Sequence, residues 1–124
     1  MSLPCRVIVA DDEPDVRYML RLVLGLDKTF QVVGEAASGL ETIALVKAGY
    51  PDLVLLDLTM PGTDGFEVIR MIHDEVLDTK IIVLSGLDDL ATSNGALRAG
   101  ASACLSKSAT PLNLLIQLKK FCVG

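Results

Sequence analysis

The chain has 124 residues, about half of them apolar, which suits one domain around a single core rather than two. With 16 Asp and Glu against 11 Lys and Arg, the formal charge is -5; the clustered cations of a nucleic-acid surface are missing, and no direct grip on DNA or RNA is expected. No apolar stretch reaches the length of a membrane span, and the start Met-Ser-Leu-Pro lacks the charged and hydrophobic regions of a signal peptide, so a cytoplasmic protein with no membrane partner is expected.

Cys5 to Ala10 is a β-branched run that stops at Asp11-Asp12-Glu13-Pro14, which reads as a strand followed by a loop. Pro14 suits the first turn of a helix, and Val16, Met19, Leu20, Val23 and Leu24 recur at helical spacing before Gly25. Phe30 to Ala36 is the second strand. Ser38-Gly-Leu-Glu41 matches a capping box that opens a helix ending near Gly49. Leu53 to Leu56 is continuously apolar between Pro51-Asp52 and Pro61-Gly62, the pattern of a central strand buried on both faces, and Asp57 follows it directly. A helix opened by Asp64 places Phe66, Ile69 and Ile72 on one side, and Lys80 to Leu84 is the fourth strand. The next helix, Asp88 to Arg98, is weak because Thr92, Ser93, Asn94 and Gly95 are poor helix formers; Gly100 closes it. Ala103 to Ser106 is a short last strand. Thr110-Pro111 caps a final helix with Leu112, Leu115, Ile116 and Leu118 on its apolar side. Five alternations of strand and helix predict an α/β domain over residues 1–124, with Met1 to Leu3 open to a cloning origin. Its parallel sheet carries helices on both faces.

Cys5, Cys104 and Cys122 are odd in number, lack metal-type spacing and lie in or beside apolar segments. Each reads as a small hydrophobe, and a reducing cytosol fits that usage. His73, on a helix without a partner nearby in sequence, reads as exposed and is assigned neither ligand nor phosphoacceptor work.

The functional signal is a convergence. Asp11, Asp12 and Asp57 all follow apolar strands, while Ser85 and Lys107 follow the fourth and fifth, so parallel ordering brings all five to one edge of the sheet. Carboxylates that close repel, by about 4 kcal/mol for a pair about 4 Å apart at an effective dielectric of about 20, unless a cation sits among them. Oxygen-only ligands suit Mg²⁺ or Mn²⁺ rather than zinc. With one carboxylate acting as a nucleophile, the metal, Lys107 and the Ser85 hydroxyl can each compensate one oxygen of an incoming phosphoryl group. That is aspartyl phosphate chemistry.

With Asp11-Asp12, Asp57-x-x-Met60-Pro61-x-x-Asp64-Gly65, Ser85 and Lys107 in this order, the chain resembles, over essentially its whole length, a response-regulator receiver domain of two-component signalling. The resemblance implies a flavodoxin-like five-stranded sheet in the order 2-1-3-4-5 with five helices. It implies that Asp57 takes a phosphoryl group from a sensor histidine kinase in a Mg²⁺-dependent reaction. It further implies that Asp12, Asp57 and the Thr59 backbone carbonyl hold the metal, that Asp11 orients metal-bound water, and that Ser85 and Lys107 contact the phosphoryl group. Output would pass through the face of the fourth helix, fifth strand and fifth helix, which also offers a homodimer surface. Val32-Val-Gly-Glu-Ala-Ala-Ser-Gly39 is similar to the subfamily whose receiver precedes a helix-turn-helix DNA-binding domain, so the chain is expected to be a fragment of such a regulator or a stand-alone one.

Three departures bear on the switch region, Gly86, Leu87 and Cys104. The family often has an aromatic ring where Cys104 stands. Gly86 replaces a frequent alanine and loosens the loop that must close on phosphate, and Ser108 after Lys107 predicts a trans bond. A receiver-like interaction domain that ignores phosphate is the alternative reading. A phosphohydrolase is disfavoured because Thr59 stands where its motif wants a second aspartate, and a nucleotide or flavin binder because no glycine-rich loop follows the first strand.

Overall fold

Leu53, Val54, Leu55 and Leu56 have no water-facing side because a parallel strand flanks each edge and helices cover both faces. A computed structural model describes residues 3–76, 78–86 and 89–122. In chain order the elements are β1 (Cys5–Ala10), α1 (Pro14–Gly25), β2 (Phe30–Ala36), α2 (Gly39–Gly49), β3 (Leu53–Asp57), α3 (Gly65–Glu75), β4 (Lys80–Ser85), α4 (Leu90–Ala99), β5 (Ala103–Ser106) and α5 (Pro111–Lys119). The strands form one parallel sheet in the order β2-β1-β3-β4-β5, as the resemblance implies.

Strand alternation divides the core into two layers. Val7, Val9, Leu53, Leu55, Ile82 and Leu84 face α1 and α5, where Leu20, Leu24, Leu114 and Leu118 meet them. Ile8, Ala10, Val54, Leu56 and Val83 face the other way, onto Ile43, Val46, Ile69, Ile72 and Ala96 of α2, α3 and α4. Each fully buried aliphatic side chain contributes about 1.5 to 3 kcal/mol.

Side-chain caps set the helix starts. The Ser38 hydroxyl accepts from the Glu41 amide at 3.2 Å, Asp64 Oδ1 from the Phe66 amide at 2.9 Å, and the Thr110 hydroxyl from the Asn113 amide at 3.2 Å. α2 ends at Gly49 as expected, with Tyr50 after it in the left-handed conformation at φ 45°. The start of α4 and the buried faces of α1 and α5 differ from the sequence reading. Asp89 caps α4 by accepting from the Thr92 amide, so the helix starts at Leu90; Asp88 lies outside the described residues. In α5, Leu114, Leu115 and Leu118 are buried, while Leu112 and Ile116 are 69% and 51% exposed. Met19 of α1 is likewise half-exposed.

The cysteine reading needs correction. Cys5 and Cys122 are bonded as a disulfide, with their α-carbons 5.5 Å apart. Parallel topology brings the start of β1 beside the turn after α5, and 117 residues of sequence separation hide that approach. Among the described residues no peptide bond is cis, in line with the expected trans Lys107–Ser108 bond.

The same end of α5 is held by an ion pair, Lys119 Nζ to Asp27 Oδ2 at 2.6 Å. The hydrogen bond from Lys119, helped by the Thr29 amide, lowers the Asp27 carboxyl from 3.8 to about 2. A depressed carboxyl contributes stability that is complete above its unfolded value and is lost as pH falls through the folded one, so this contact should fail only between about pH 4 and 2. A carboxyl titration followed by NMR should place the Asp27 midpoint near 2, and Lys119→Met should move it back toward 3.8; an unmoved midpoint would show that Thr29 alone holds it.

Candidate functional site at the carboxyl edge of the sheet

Asp11, Asp12, Asp57, Ser85 and Lys107 each follow or end a strand, and the parallel sheet delivers them to one edge. Asp11 directly follows β1, with its amide bonded to the Ala36 carbonyl of β2 at 3.0 Å. Asp57 is the last residue of β3, Ser85 the last of β4, and Lys107 directly follows β5. The Lys107 amide donates to the Ser85 carbonyl at 2.9 Å, which fixes the exit of β5 against β4.

One carboxylate oxygen each of Asp11, Asp12 and Asp57 lies within 4.8 Å of the others. Asp11 and Asp57 are buried, 1% and 3% exposed, and Asp12 is half-buried. The Lys107 ammonium reaches between them, 3.0 Å from Asp11 Oδ2 and 3.5 Å from Asp57 Oδ1. Burial pulls the Lys107 pKa down, but the hydrogen bond to Asp11 and the charges of Asp57 and Asp11 outweigh it and hold the pKa above the ordinary lysine value. In their charged forms three carboxylates and one ammonium sum to a net charge of 3 - 1 = 2 negative, the charge that a divalent cation neutralises. The donors are all oxygen, so they fit a hard ion such as Mg²⁺.

Thr59 has contacts beyond its expected part. Its amide and its hydroxyl both donate to Asp57 Oδ1, at 3.1 and 2.8 Å, so its side chain also fixes the Asp57 carboxylate. Ser85 is buried, 3% exposed. Among the described residues nothing lies within 4 Å of a β-carbon added at Gly86, and Leu87 lies outside the described residues. Cys104 pairs in register with Val83 and packs, partly buried, against the core layer beneath α3 and α4. His73 is exposed on α3 and has Asp74 Oδ1 3.4 Å from its Nδ1, a neighbour the sequence reading did not credit.

Two contacts at Asp11, and a third that holds one of the partners, escaped the sequence reading. The Glu13 amide donates to Asp11 Oδ1 at 2.9 Å, and the Arg17 guanidinium donates to the Asp11 carbonyl. Arg17 is itself held by Glu35 of β2, Nε to Oε1 at 3.4 Å. A signal was there: a cation near a helix amino terminus opposes the helix dipole and calls for a local acceptor.

A family model described as the response regulator receiver domain matches residues 7–119. The uncharacterized transcriptional regulatory protein YhcZ of Bacillus subtilis is 40% identical over 110 residues, covering 89% of this chain and 51% of that one. The chain spans about half the length of several curated relatives it matches. Among solved structures, the signal receiver domain of NarL from Mycobacterium tuberculosis superposes with a TM-score of 0.93 at 34% identity, covering 98% of both chains. The CheX-CheY-BeF3-Mg+2 complex from Borrelia burgdorferi contains a chain with a TM-score of 0.90 at 25% identity, covering 98% of this chain and 92% of that one.

Proposed function

The chain belongs to the response regulator receiver domains, the signalling switches of two-component systems, and on that premise we propose that Asp57 is its phosphoacceptor and a sensor histidine kinase its donor. The observation that carries the proposal is the meeting of Asp11, Asp12 and Asp57 within 4.8 Å, with Lys107 between two of them.

The hydrogen bonds from Thr59, and the approach of Lys107, fall on Asp57 Oδ1, so Oδ2 is assigned as the attacking atom. In the transfer, Oδ2 forms a bond to phosphorus as the bond from phosphorus to the kinase's histidine nitrogen breaks. Asp12, Asp57 and the Thr59 carbonyl would hold Mg²⁺, with Asp11 reaching it through water; when bound, the ion supplies positive charge against the phosphoryl oxygens. Lys107 follows the new charge, exchanging part of its contact with Asp57 for a phosphoryl oxygen, and the Ser85 hydroxyl donates to another. Asp11, pinned by the Glu13 amide and by Arg17, keeps Lys107 aimed at the acceptor.

Phosphorylation then biases a pre-existing equilibrium of the loop beginning at Gly86 and of the weak helix α4. An aromatic ring switch is unavailable to a chain with Cys104 at that place in β5. Relatives named as transcriptional regulators support a DNA-binding output domain in the longer protein, with α4, β5 and α5 as the face that signals or dimerises.

The test is incubation with an acyl phosphate and Mg²⁺ followed by intact mass measurement. A gain of one phosphoryl group in the wild type, lost in Asp57→Asn and lost on chelating the metal, is the expected result. Equal gain in Asp57→Asn would move the acceptor elsewhere. No gain in a wild type that still binds Mg²⁺ would favour the phosphate-independent interaction domain.

A further inference from the structure

We propose that Cys5 and Cys122 form a reversible thiol–disulfide exchange site, a redox clasp that fastens the carboxyl end of α5 to the start of β1. The inference does not rest on the phosphoacceptor reading: Cys5 opens a strand of 6 residues and Asp11 follows that strand's end, which puts the two sites about 20 Å apart across the sheet.

The two α-carbons are 5.5 Å apart, inside the range that a disulfide spans without moving the backbone. The reduced form is accommodated by the same surroundings. Cys5 is 5% exposed and packs in the layer that holds Val7, Phe30 and Leu118, where a thiol serves as a small hydrophobe. Cys122 Sγ lies 3.5 Å from the Leu118 carbonyl oxygen, to which the reduced S–H donates. The fold has other means of seating α5, through buried Leu114, Leu115 and Leu118 and the Lys119–Asp27 pair, so the bond adds restraint to a helix already in place.

Access sets the order of events. Cys122 is half-buried in the turn after α5, while Cys5 is closed off, so the outer cysteine reacts first. Cys122 thiolate attacks a small-molecule disulfide, R–S–S–R, giving a mixed disulfide and releasing one RS⁻, which takes up a proton. The Cys5 thiol, losing its proton, then attacks Cys122 Sγ and expels the second RS⁻. The balance is protein dithiol plus RSSR giving protein disulfide plus 2 RSH, with the small disulfide reduced and the protein oxidised.

The folded chain is treated with oxidised glutathione, denatured, capped with N-ethylmaleimide and weighed. Of the 3 cysteines, the reduced protein should cap at all 3 and the oxidised protein at Cys104 alone, with two hydrogens lost and a Cys5–Cys122 cross-linked peptide. Excess reduced glutathione on the still-folded protein should restore full capping. Cys104→Ser should behave as the wild type, and Cys122→Ser should lose the cross-link while remaining folded. Hydrogen exchange in the last turn of α5 should slow by at least about 10-fold on oxidation. Full capping after oxidation, or a cross-link through Cys104, would overturn the site. Failure of thiols to reopen it without unfolding would overturn its reversibility, and unchanged exchange in α5 would overturn the clasp.

Discussion

Replacing Lys107 with methionine should lower the unfolding free energy of the metal-free protein by about 2 kcal/mol at low ionic strength and should cut acceptance of a phosphoryl group by at least about 100-fold. Methionine keeps the apolar stem and removes only the charge. The ammonium it removes stands 3.0 Å from Asp11 and 3.5 Å from Asp57 on a side chain 28% exposed, so the two buried carboxylates lose the cation that makes their closeness tolerable. Saturating Mg²⁺ should then stabilise Lys107→Met more than it stabilises the wild type, because the ion no longer competes with a resident positive charge. Restoring the charge balance should not restore transfer, since the ion cannot take the place of the lysine at the phosphoryl oxygen. The sign with pH is fixed as well. A lysine whose folded pKa is raised contributes fully below its unfolded value and fails only as pH climbs past it, so the stability difference between the two proteins should be flat from about pH 6 to 9. Urea unfolding with and without Mg²⁺ reads all of this. Equal responses of both proteins to the ion would mean that Lys107 does not do the compensating.

The acidic edge was legible in the sequence for a simple reason: each of its members ends a strand or lies within two residues of a strand's end, and a parallel sheet puts all strand ends of one kind together. Asp57 could be placed from its own strand, because Leu53 to Leu56 carry no polar position that would let one face see water. The faces of short helices were less legible. In α5, Leu112, Leu114, Leu115, Ile116 and Leu118 surround most of the helix, so periodicity alone could not choose the buried stripe, and packing into the layer that holds Val9 and Leu84 chose Leu114 over Leu112 and Ile116. The start of α4 was ambiguous between two adjacent aspartates, and the cap on the Thr92 amide fixed it at Asp89. Long-range contacts left no local trace. The pairing of Cys5 with Cys122 depends on where β1 and α5 lie in the finished fold. The contact of Arg17 with the Asp11 carbonyl was detectable only as a cation placed against a helix dipole.

Gly65→Ala should destabilise the protein by about 2 to 3 kcal/mol and damage the proposed phosphoacceptor site in the same step. Gly65 opens α3, and a helix residue there would ordinarily gain from the exchange, since alanine loses less conformational entropy on folding. Space decides otherwise. A β-carbon at Gly65 would stand 2.8 Å from Leu58 Cδ2, 2.9 Å from the Leu58 carbonyl oxygen and 3.0 Å from Leu58 Cα. Two of those three atoms are backbone and cannot swing aside, so the loop itself must move. Leu58 joins Asp57 to Thr59, and the displacement therefore pulls on the 2.8 and 3.1 Å bonds by which Thr59 orients Asp57 Oδ1. Both the midpoint of urea unfolding and the rate of phosphoryl gain should fall. Gly25→Ala is the matched control: it closes α1 with nothing within 4 Å of the added carbon, and it should leave stability within about 0.5 kcal/mol and the rate unchanged. If Gly65→Ala unfolds like this control, the Leu58 backbone yields easily, and the tight approach of α3 to that loop is not what holds the acceptor in place.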